Sequence, residues 1–373
     1  MVGSARNEPA RALRIGFDAA CLDSTAPGVR RYTRKLVEVV PIVDPSIKLV
    51  AVDVEPGILQ RGASNLGRML VDLPLAARRR RLDLFHAPAY ITPLWGVHPL
   101  VVTIHDVSYA RHPEWYPYRR DTLRRLFYRR SARVADLVIT DSGFSRREII
   151  EAYAIDADRI LTIALGVGAP FVSGRDRARN IIPEGVAAPF VLHVGDLHAR
   201  RNLRTALQAV IAVRTRSKDL RALQLVLVGA DRGEGEALRH ASAQAGKPEP
   251  IVCLGVGLDD EHLAALYRSA GALIYPSRYE GFGLPLLEAM ACGTPVIGSR
   301  AAATPEVVGD AALLVEPDDV EGFADAVQAA LTNPALAEDL RARGLRRAAS
   351  FTWERTARET IRAYRECVGV PAT

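Results

Sequence analysis

Two Rossmann-like, doubly wound α/β domains facing each other across a cleft are the architecture this sequence predicts. Three observations carry that expectation. Short runs rich in Val, Ile and Leu recur along the whole chain, most of them continuous rather than alternating, as in strands buried on both faces of a parallel sheet. Segments of helical spacing separate these runs. The alternation breaks once, near the middle, in a stretch with no sustained period.

The runs of the first half are 13–19, 48–54, 82–87, 100–106, 135–141 and 160–165. Repeated β-α units of this kind imply an open, doubly wound sheet. Residues 166–188 are rich in Gly, Pro, Arg and Ala, and the interdomain linker is placed at 169–188. The pattern then resumes with runs at 190–195, 223–229, 251–255, 272–276, 295–299 and 312–316, with helical spacing over 202–214 and 319–331. Residues 352–367 read as one long helix after the second domain. The expected division is a first domain over 1–168, the linker, a second domain over 189–350 and a C-terminal helical segment over 351–373. Folds of this class bind ligands at the carboxyl ends of their strands, so the site is expected in the cleft between the two sheets.

Composition narrows the class. A chain of 373 residues is long for one domain and comfortable for two. No apolar run reaches the roughly 18 residues of a membrane span, and residues 1–12 are polar, without the apolar core of a secretory signal. A cytoplasmic protein is expected. Cys21, Cys253, Cys292 and Cys367 are far apart and form no C-x-x-C pair, so they are read as small apolar residues. The formal charge is +6, and Arg supplies nearly all of the basic residues, with Lys only at positions 35, 48, 218 and 247. Such a surface favours anionic partners without choosing among them. No nucleic-acid motif or aromatic-basic platform accompanies the charge, and nucleic acid is not an expected partner.

The most informative segment runs from Ser277 to Val296. A buried run ends at Pro276, and Gly281, Gly283 and Pro285 follow. Proline suits the first position of a helix, so a helix is expected to start at Pro285. The junction Gly281, Phe282, Gly283, Leu284 presents backbone N–H groups at a helix N-terminus, and its glycines let a diphosphate approach closely. Glu288 is expected in the first helical turn, where its carboxylate can accept two hydrogen bonds from neighbouring ribose hydroxyls. Glu280 precedes the glycines and can reach a sugar ring beyond the phosphates. The plainer alternative makes Glu280 a solvated loop residue and Glu288 a complement to the helix dipole.

The stretch E-G-F-G-L-P-L-L-E-A-M-A-C-G-T-P-V-I at 280–297 closely resembles the E-x7-E region of the retaining glycosyltransferases of family 4, which have the GT-B fold. Other segments agree with that resemblance. His193 to Asn202 looks like the family's strand–Gly–x–x–x–x–Arg–Lys–Asn segment, with Gly195 at the glycine. Arg200 and Arg201 fall where the family places two cations on the donor diphosphate, with Arg201 where Lys is common. Val228-Gly229 and Tyr275-Pro-Ser277 also follow the family pattern. In the first domain, Pro27-Gly28-Val29-Arg30-Arg31-Tyr32 resembles the loop that approaches the donor phosphate and the acceptor. Val101 to Asp106, followed by His112 to Tyr116, resembles a segment whose first histidine, here His105, touches the donor sugar. Asp141 to Arg147 resembles the family's S-x-F-S segment. Phe351 to Ala357 resembles the start of a C-terminal helix that crosses back onto the first domain.

The resemblance implies transfer of a hexose, with a lean to mannose, from a nucleoside-diphosphate sugar to a saccharide or lipid-linked saccharide acceptor. The nucleotide sugar is a substrate, and no cofactor is expected. Arg200, Arg201 and the helix N-terminus would meet the charge of the leaving diphosphate, and Glu280 and His105 would orient the sugar. In this family the acceptor attacks on the face the diphosphate leaves and the leaving oxygen takes the proton, so no separate base is required. No metal is expected: the D-x-D of Asp156 and Asp158 reads as a turn before a strand. A nucleotide-sugar 2-epimerase and a non-catalytic sugar-nucleotide-binding subunit are the competing readings. A glycogen or sucrose-type synthase is disfavoured on length. Residues 118–133 are strongly basic, with Leu123, Leu126, Phe127 and Arg130 at helical spacing. They form either a surface helix docked on its own domain or a patch that brings the enzyme to the inner face of a membrane.

Overall fold

The computed structural model describes residues 12–53, 67–116, 121–174, 182–246 and 249–370. The first domain runs β1 Leu13–Asp18, α1 Pro27–Val43, β2 Ile47–Val52, α2 Leu73–Arg79, β3 Leu84–Ala87, β4 Leu100–Thr103, α3 Ser108–Arg111, α4 Thr122–Val134, β5 Leu137–Thr140, α5 Gly143–Tyr153 and β6 Ile160–Thr162. The second runs β7 Phe190–Val194, α6 Leu203–Arg216, β8 Gln224–Val228, α7 Gly235–Gln244, β9 Ile251–Gly255, α8 Asp260–Ser269, β10 Ala272–Tyr275, α9 Leu284–Ala291, β11 Val296–Ser299, α10 Thr304–Val308, β12 Ala312–Val315, α11 Val320–Thr332 and α12 Pro334–Ala348. Helix α13, Trp353–Val368, follows.

Both sheets are six-stranded and parallel, in the orders β2-β1-β3-β4-β5-β6 and β12-β11-β10-β7-β8-β9. The second order is the Rossmann arrangement, and the first is the related flavodoxin-like one. Strands β3, β4, β7, β10 and β11 are buried at every residue, which is why their sequences run apolar without alternation. Chain direction reverses between β1 and β3 in one sheet and between β7 and β10 in the other. The loops after β7 and β10 therefore emerge side by side, and they carry Arg200, Arg201 and Glu280.

The first residues of the expected linker pack into the core with the run that precedes them. Ile163, Leu165 and Phe171 are buried in a core that also includes Phe190, Trp353 and Ile361, because these apolar side chains gain more by joining the inner faces of the two domains than by facing water. Residues 175–181 of the expected linker lie outside the described residues. Val167 bridges to Thr352, and the Thr356 hydroxyl donates to the Ala164 carbonyl at 2.8 Å. Helix α13 then packs on α1 of the first domain, capped at its start by Thr352 and at its end by Gly369 in the left-handed region. Its Tyr364 hydroxyl pairs with His86 Nδ1 at 2.7 Å, so the last helix reaches the strands beneath the cleft. Among the described residues, no helix is long and apolar enough to cross a membrane. Cys21 and Cys292 are buried as expected, whereas Cys253 is exposed on the edge strand β9.

Candidate active site

The second domain supplies a compact charged group at its switch point. After β7 the chain turns at Gly195, whose φ is +139°, and reaches a short 3-10 turn over Ala199–Arg201. A Cβ at position 195 would lie 3.0 Å from the Arg201 guanidinium carbon, so the glycine leaves the room that this side chain fills. Arg201 is buried, and its Nη1 donates to both the Tyr275 hydroxyl and Glu280 Oε1. Arg200 Nη1 donates to Glu280 Oε2 at 3.2 Å and to the Tyr279 carbonyl at 3.2 Å, and stands 4.0 Å from Asp106 of the first domain. Burial works against the charge on Arg200, but Glu280 and Asp106 outweigh it and hold its pKa above the ordinary value. Glu280 is therefore no solvated loop residue: it is buried, with each carboxylate oxygen on a different guanidinium. Two cations fixed this way form a charge-dense, largely dehydrated patch, the arrangement that meets developing phosphate charge with little reorganisation.

The glycine loop runs straight into α9, which starts at Leu284 rather than Pro285 and has Gly283 as its N-cap at φ +100°. Glu288 accordingly lies just past the first turn. It is buried: Oε2 accepts from the Tyr267 hydroxyl at 2.8 Å, and Oε1 pairs with Arg31. Arg31 belongs to α1 of the other domain, also pairs with Asp260, and lies 4.8 Å above the Phe171 ring. The Phe282 ring turns into the core against Phe351, so only its main chain is available to a phosphate. Leu284 is half-buried against the same core.

The first domain meets this group with the loops after β4 and β5. His105 lies beyond the end of β4, with Nδ1 2.7 Å from Asp141 Oδ2 and Nε2 3.2 Å from the Pro88 carbonyl. A carbonyl only accepts, so Nε2 carries a proton, and the carboxylate at Nδ1 favours a second. Burial disfavours the imidazolium, but Asp141, by charge and hydrogen bond, and Asp106 raise the His105 pKa above the ordinary value. Burial also lifts the Asp141 carboxyl, with His105 pulling it back. Below this pair, Tyr364, His86, Thr103 and Tyr32 form a buried hydrogen-bonded chain. Burial, with the neighbouring His105, pushes His86 down to about 3, so it is a neutral ring.

The two halves touch directly. Ser142 and Ser145 donate to the Gly281 carbonyl at 2.5 and 3.1 Å, and Glu306 of α10 accepts from the backbone N–H groups of Gly143 at 2.8 Å and Phe144 at 3.2 Å. A Cβ on Gly281 would stand 2.2 Å from the His105 carbonyl oxygen. That glycine thus clears the way for the opposite domain.

The structure brings His105, Arg200, Arg201, Glu280 and Gly281 together, with Gly195 behind them. Gly28 stands apart: it is exposed in the first turn of α1, with nothing within 4 Å of an added Cβ, and only Arg31 of the same turn ties this region to Glu288. Asp156 and Asp158 are exposed around a 3-10 turn before β6. No cluster of three His, Cys, Asp or Glu side chains able to hold a metal occurs among the described residues. Sequence reasoning missed Arg31, Asp141, Tyr267 and Tyr275 as parts of the site. Arg31, Asp141 and Tyr275 stood inside quoted motifs and were open to notice; Tyr267 carries no local signal for its pairing with Glu288.

Residues 24–169 match the family described as Glycosyltransferase Family 4, and residues 188–333 match the one described as Glycosyl transferases group 1. The chain is 32% identical to an O-antigen chain mannosyltransferase B of Escherichia coli, over 95% of this chain and 100% of that one. It is 33% identical to an MMP alpha-(1->4)-mannosyltransferase of Mycolicibacterium hassiacum, over 79% of this chain and 73% of the relative. Among solved structures, a sucrose-phosphate synthase from Thermosynechococcus elongatus superposes with a TM-score of 0.75 at 22% identity, covering 95% of this chain and 98% of that one. That coverage also removes the length argument against sucrose-type synthases, since the two chains are of similar extent. With both halves matched and the GT-B architecture in place, the chain belongs to glycosyltransferase family 4, the glycosyl transferases group 1.

Proposed function

We propose that this glycosyltransferase moves a mannosyl residue, with retention and without a metal, from a nucleoside-diphosphate donor to a saccharide or lipid-linked saccharide acceptor. The mannose assignment is supported by the names of its relatives from E. coli and M. hassiacum. The donor assignment rests above all on one observation, the pair of guanidiniums on Glu280 beside the N-terminus of α9. A diphosphate entering there competes with Glu280 for Arg200 and Arg201 and gains the free N–H groups of the helix start. Displaced from Arg200, Glu280 turns one carboxylate oxygen toward the sugar hydroxyls. Glu288 receives the ribose. His105, its Nδ1 held by Asp141, acts as a hydrogen-bond donor to the sugar when Nε2 leaves the Pro88 carbonyl. The acceptor hydroxyl enters on the face the diphosphate leaves and passes its proton to the departing phosphate oxygen.

Helix α4 adds a membrane contact to this reading. It docks on the domain through Ser131 and Ala132, while its Leu123 and Leu126 are exposed and Phe127 is half-buried. Residues 118–120 of that basic segment lie outside the described residues.

Calorimetric titration with UDP, GDP, dTDP and ADP tests the donor site, with Glu288→Ala and Arg201→Ala in parallel. One nucleotide is expected to bind and both variants to weaken it. No binding to the folded wild type would overturn the assignment. Incubation of the chosen nucleotide-mannose without acceptor separates the remaining readings: an epimerised sugar nucleotide would replace transferase by epimerase.

A further inference from the structure

We propose that one entire flank of the first domain is a docking face for an anionic bilayer, with α2 and the segment 94–96 as a second limb beside α4. The two helices cover the same side of the first sheet: Leu73 and Ala77 of α2 share one core with Ala132 of α4. Their outward surfaces therefore face the same way. On the α2 limb Leu70 is 39% exposed, Val71 38%, Leu75 42% and Trp95 44%. These residues form one built surface. The Leu94 N–H donates to the Met69 carbonyl at 3.0 Å, and Trp95 Nε1 donates to the Leu70 carbonyl at 2.6 Å, which satisfies the indole and leaves its ring against solvent. On the α4 limb Leu123 is 62% exposed and Leu126 57%. Large apolar side chains gathered on one flank mark an interaction surface rather than ordinary scatter.

Charge identifies the partner. Arg78, Arg79, Arg80 and Arg81 follow the apolar residues directly and are all exposed. None of the four has a carboxylate partner among the described residues, although arginines elsewhere in the chain are widely paired. Arg14 donates to the Arg80 and Arg81 carbonyls at 3.0 and 3.2 Å, which fixes that backbone while leaving the guanidiniums in solvent. Arg130 of α4 is likewise exposed without a carboxylate partner among the described residues.

The order of the residues gives the orientation. In a β-α-β unit the helix runs back from the carboxyl rim of the sheet. Arg68, at the start of the α2 limb, pairs with buried Asp18 at the carboxyl end of β1, so Leu70 and Val71 sit at the cleft rim and Arg78–Arg81 at the far end. Leu123 and Leu126 likewise precede Arg130 on α4. Both limbs thus place leucines toward the cleft mouth and free arginines behind them. That is the order expected of surface helices whose apolar part enters the interface while basic residues meet anionic headgroups. A lipid-linked acceptor would then emerge beside the cleft. This last step rests on the transferase reading; the bilayer contact does not.

Vesicle sedimentation at low and high salt tests the proposal, using phosphatidylcholine alone and phosphatidylcholine with phosphatidylglycerol. The variants are Arg78→Gln/Arg79→Gln/Arg80→Gln/Arg81→Gln, Leu70→Ser/Leu75→Ser/Trp95→Ser, and Leu123→Ser/Leu126→Ser, each checked for folding by thermal melting and for nucleotide binding by calorimetry. Each arginine near an anionic surface is worth about fivefold in partition, so the quadruple variant should lose well over about tenfold at low salt. The apolar variants should weaken binding at both salt concentrations. Folded quadruple and Leu70/Leu75/Trp95 variants that sediment like wild type would overturn the second limb. Wild type that never sediments, while the apolar variant lowers the oligomeric mass, would replace the bilayer with a second copy of the chain. Loss of nucleotide binding by wild type with vesicle binding intact would count against the transferase reading alone.

Discussion

Gly281→Ala and Gly28→Ala are chemically the same substitution, yet they are expected to behave in opposite ways. At Gly281 the added methyl would lie 2.2 Å from the His105 carbonyl oxygen and 2.8 Å from the Asp106 Cβ. The oxygen belongs to the main chain of the opposite domain and cannot rotate away. Restoring ordinary contact requires the two loops to part by roughly 1 Å. That displacement strains the Ser142 and Ser145 hydrogen bonds to Gly281, each worth about 0.5–1.5 kcal/mol, and overpacking adds about 1–3 kcal/mol. Melting should fall by several degrees. Because the same movement shifts His105 away from Glu280, turnover should fall by about a hundredfold, the usual consequence of a 1 Å misplacement. Gly28 has nothing within 4 Å of an added Cβ and no positive φ, and alanine is the better helix former, so melting should hold or rise slightly. If the loop at Gly28 approaches the donor phosphate, its alanine variant weakens nucleotide affinity alone. The assay is nucleoside diphosphate release from the donor selected by calorimetry, beside a melting curve. A Gly281→Ala enzyme with wild-type melting and turnover within about threefold of wild type would refute the reasoning, because the contact between His105 and the glycine loop would then play no part in the working enzyme.

Asp141→Asn should move the alkaline limb of donor binding to lower pH. Asp141 raises the His105 pKa, so the stability it contributes is fully present below the ordinary imidazole value and is lost as pH rises through the folded value; with asparagine, burial is opposed only by Asp106 and the Pro88 carbonyl, and charge is lost earlier. Removing this charge-assisted hydrogen bond should cost about 1.5–3 kcal/mol at mildly acid pH, and superimposable pH profiles of melting and affinity for the two proteins would refute the pairing. Arg31→Ala removes the cation from Glu288 Oε1. It should lower melting, through a buried carboxylate short of a partner, and tighten ribonucleotide binding several-fold while leaving a 2′-deoxy analogue unchanged; equal effects on both nucleotides would show that Arg31 does not contend with the ribose.

What could be read from the sequence and what could not divide along a physical line. The inner strands β3, β4, β7, β10 and β11 were legible because each is a local event: a few residues, mostly apolar, buried on both faces leave an unbroken apolar run. The cluster of Arg200, Arg201 and Glu280 was nearly legible, since the switch point of a doubly wound sheet brings the loops after β7 and β10 together whatever their separation in sequence. Interdomain chemistry had no such local cause. Arg31 occupies a face of α1 that periodicity marks only as polar, and nothing in its surroundings names Glu288. Gly281 is more instructive, because a constraint on it comes from the opposite domain and leaves no local signature. Glycine in a loop before a helix is explained equally well by a phosphate, a turn or a neighbouring chain, and Gly283 at φ +100° does meet a backbone demand. Only the His105 carbonyl facing Gly281 decides for the neighbouring chain there. The same reasoning applies to residues 166–171, whose Gly and Pro content signals a linker while Phe171 joins the core beside Ile163 and Leu165 of the preceding run. A segment between domains can satisfy both descriptions when the domains bury surface against each other, and here it carries Phe171 to the underside of Arg31, so the connection itself helps set how Glu288 is held.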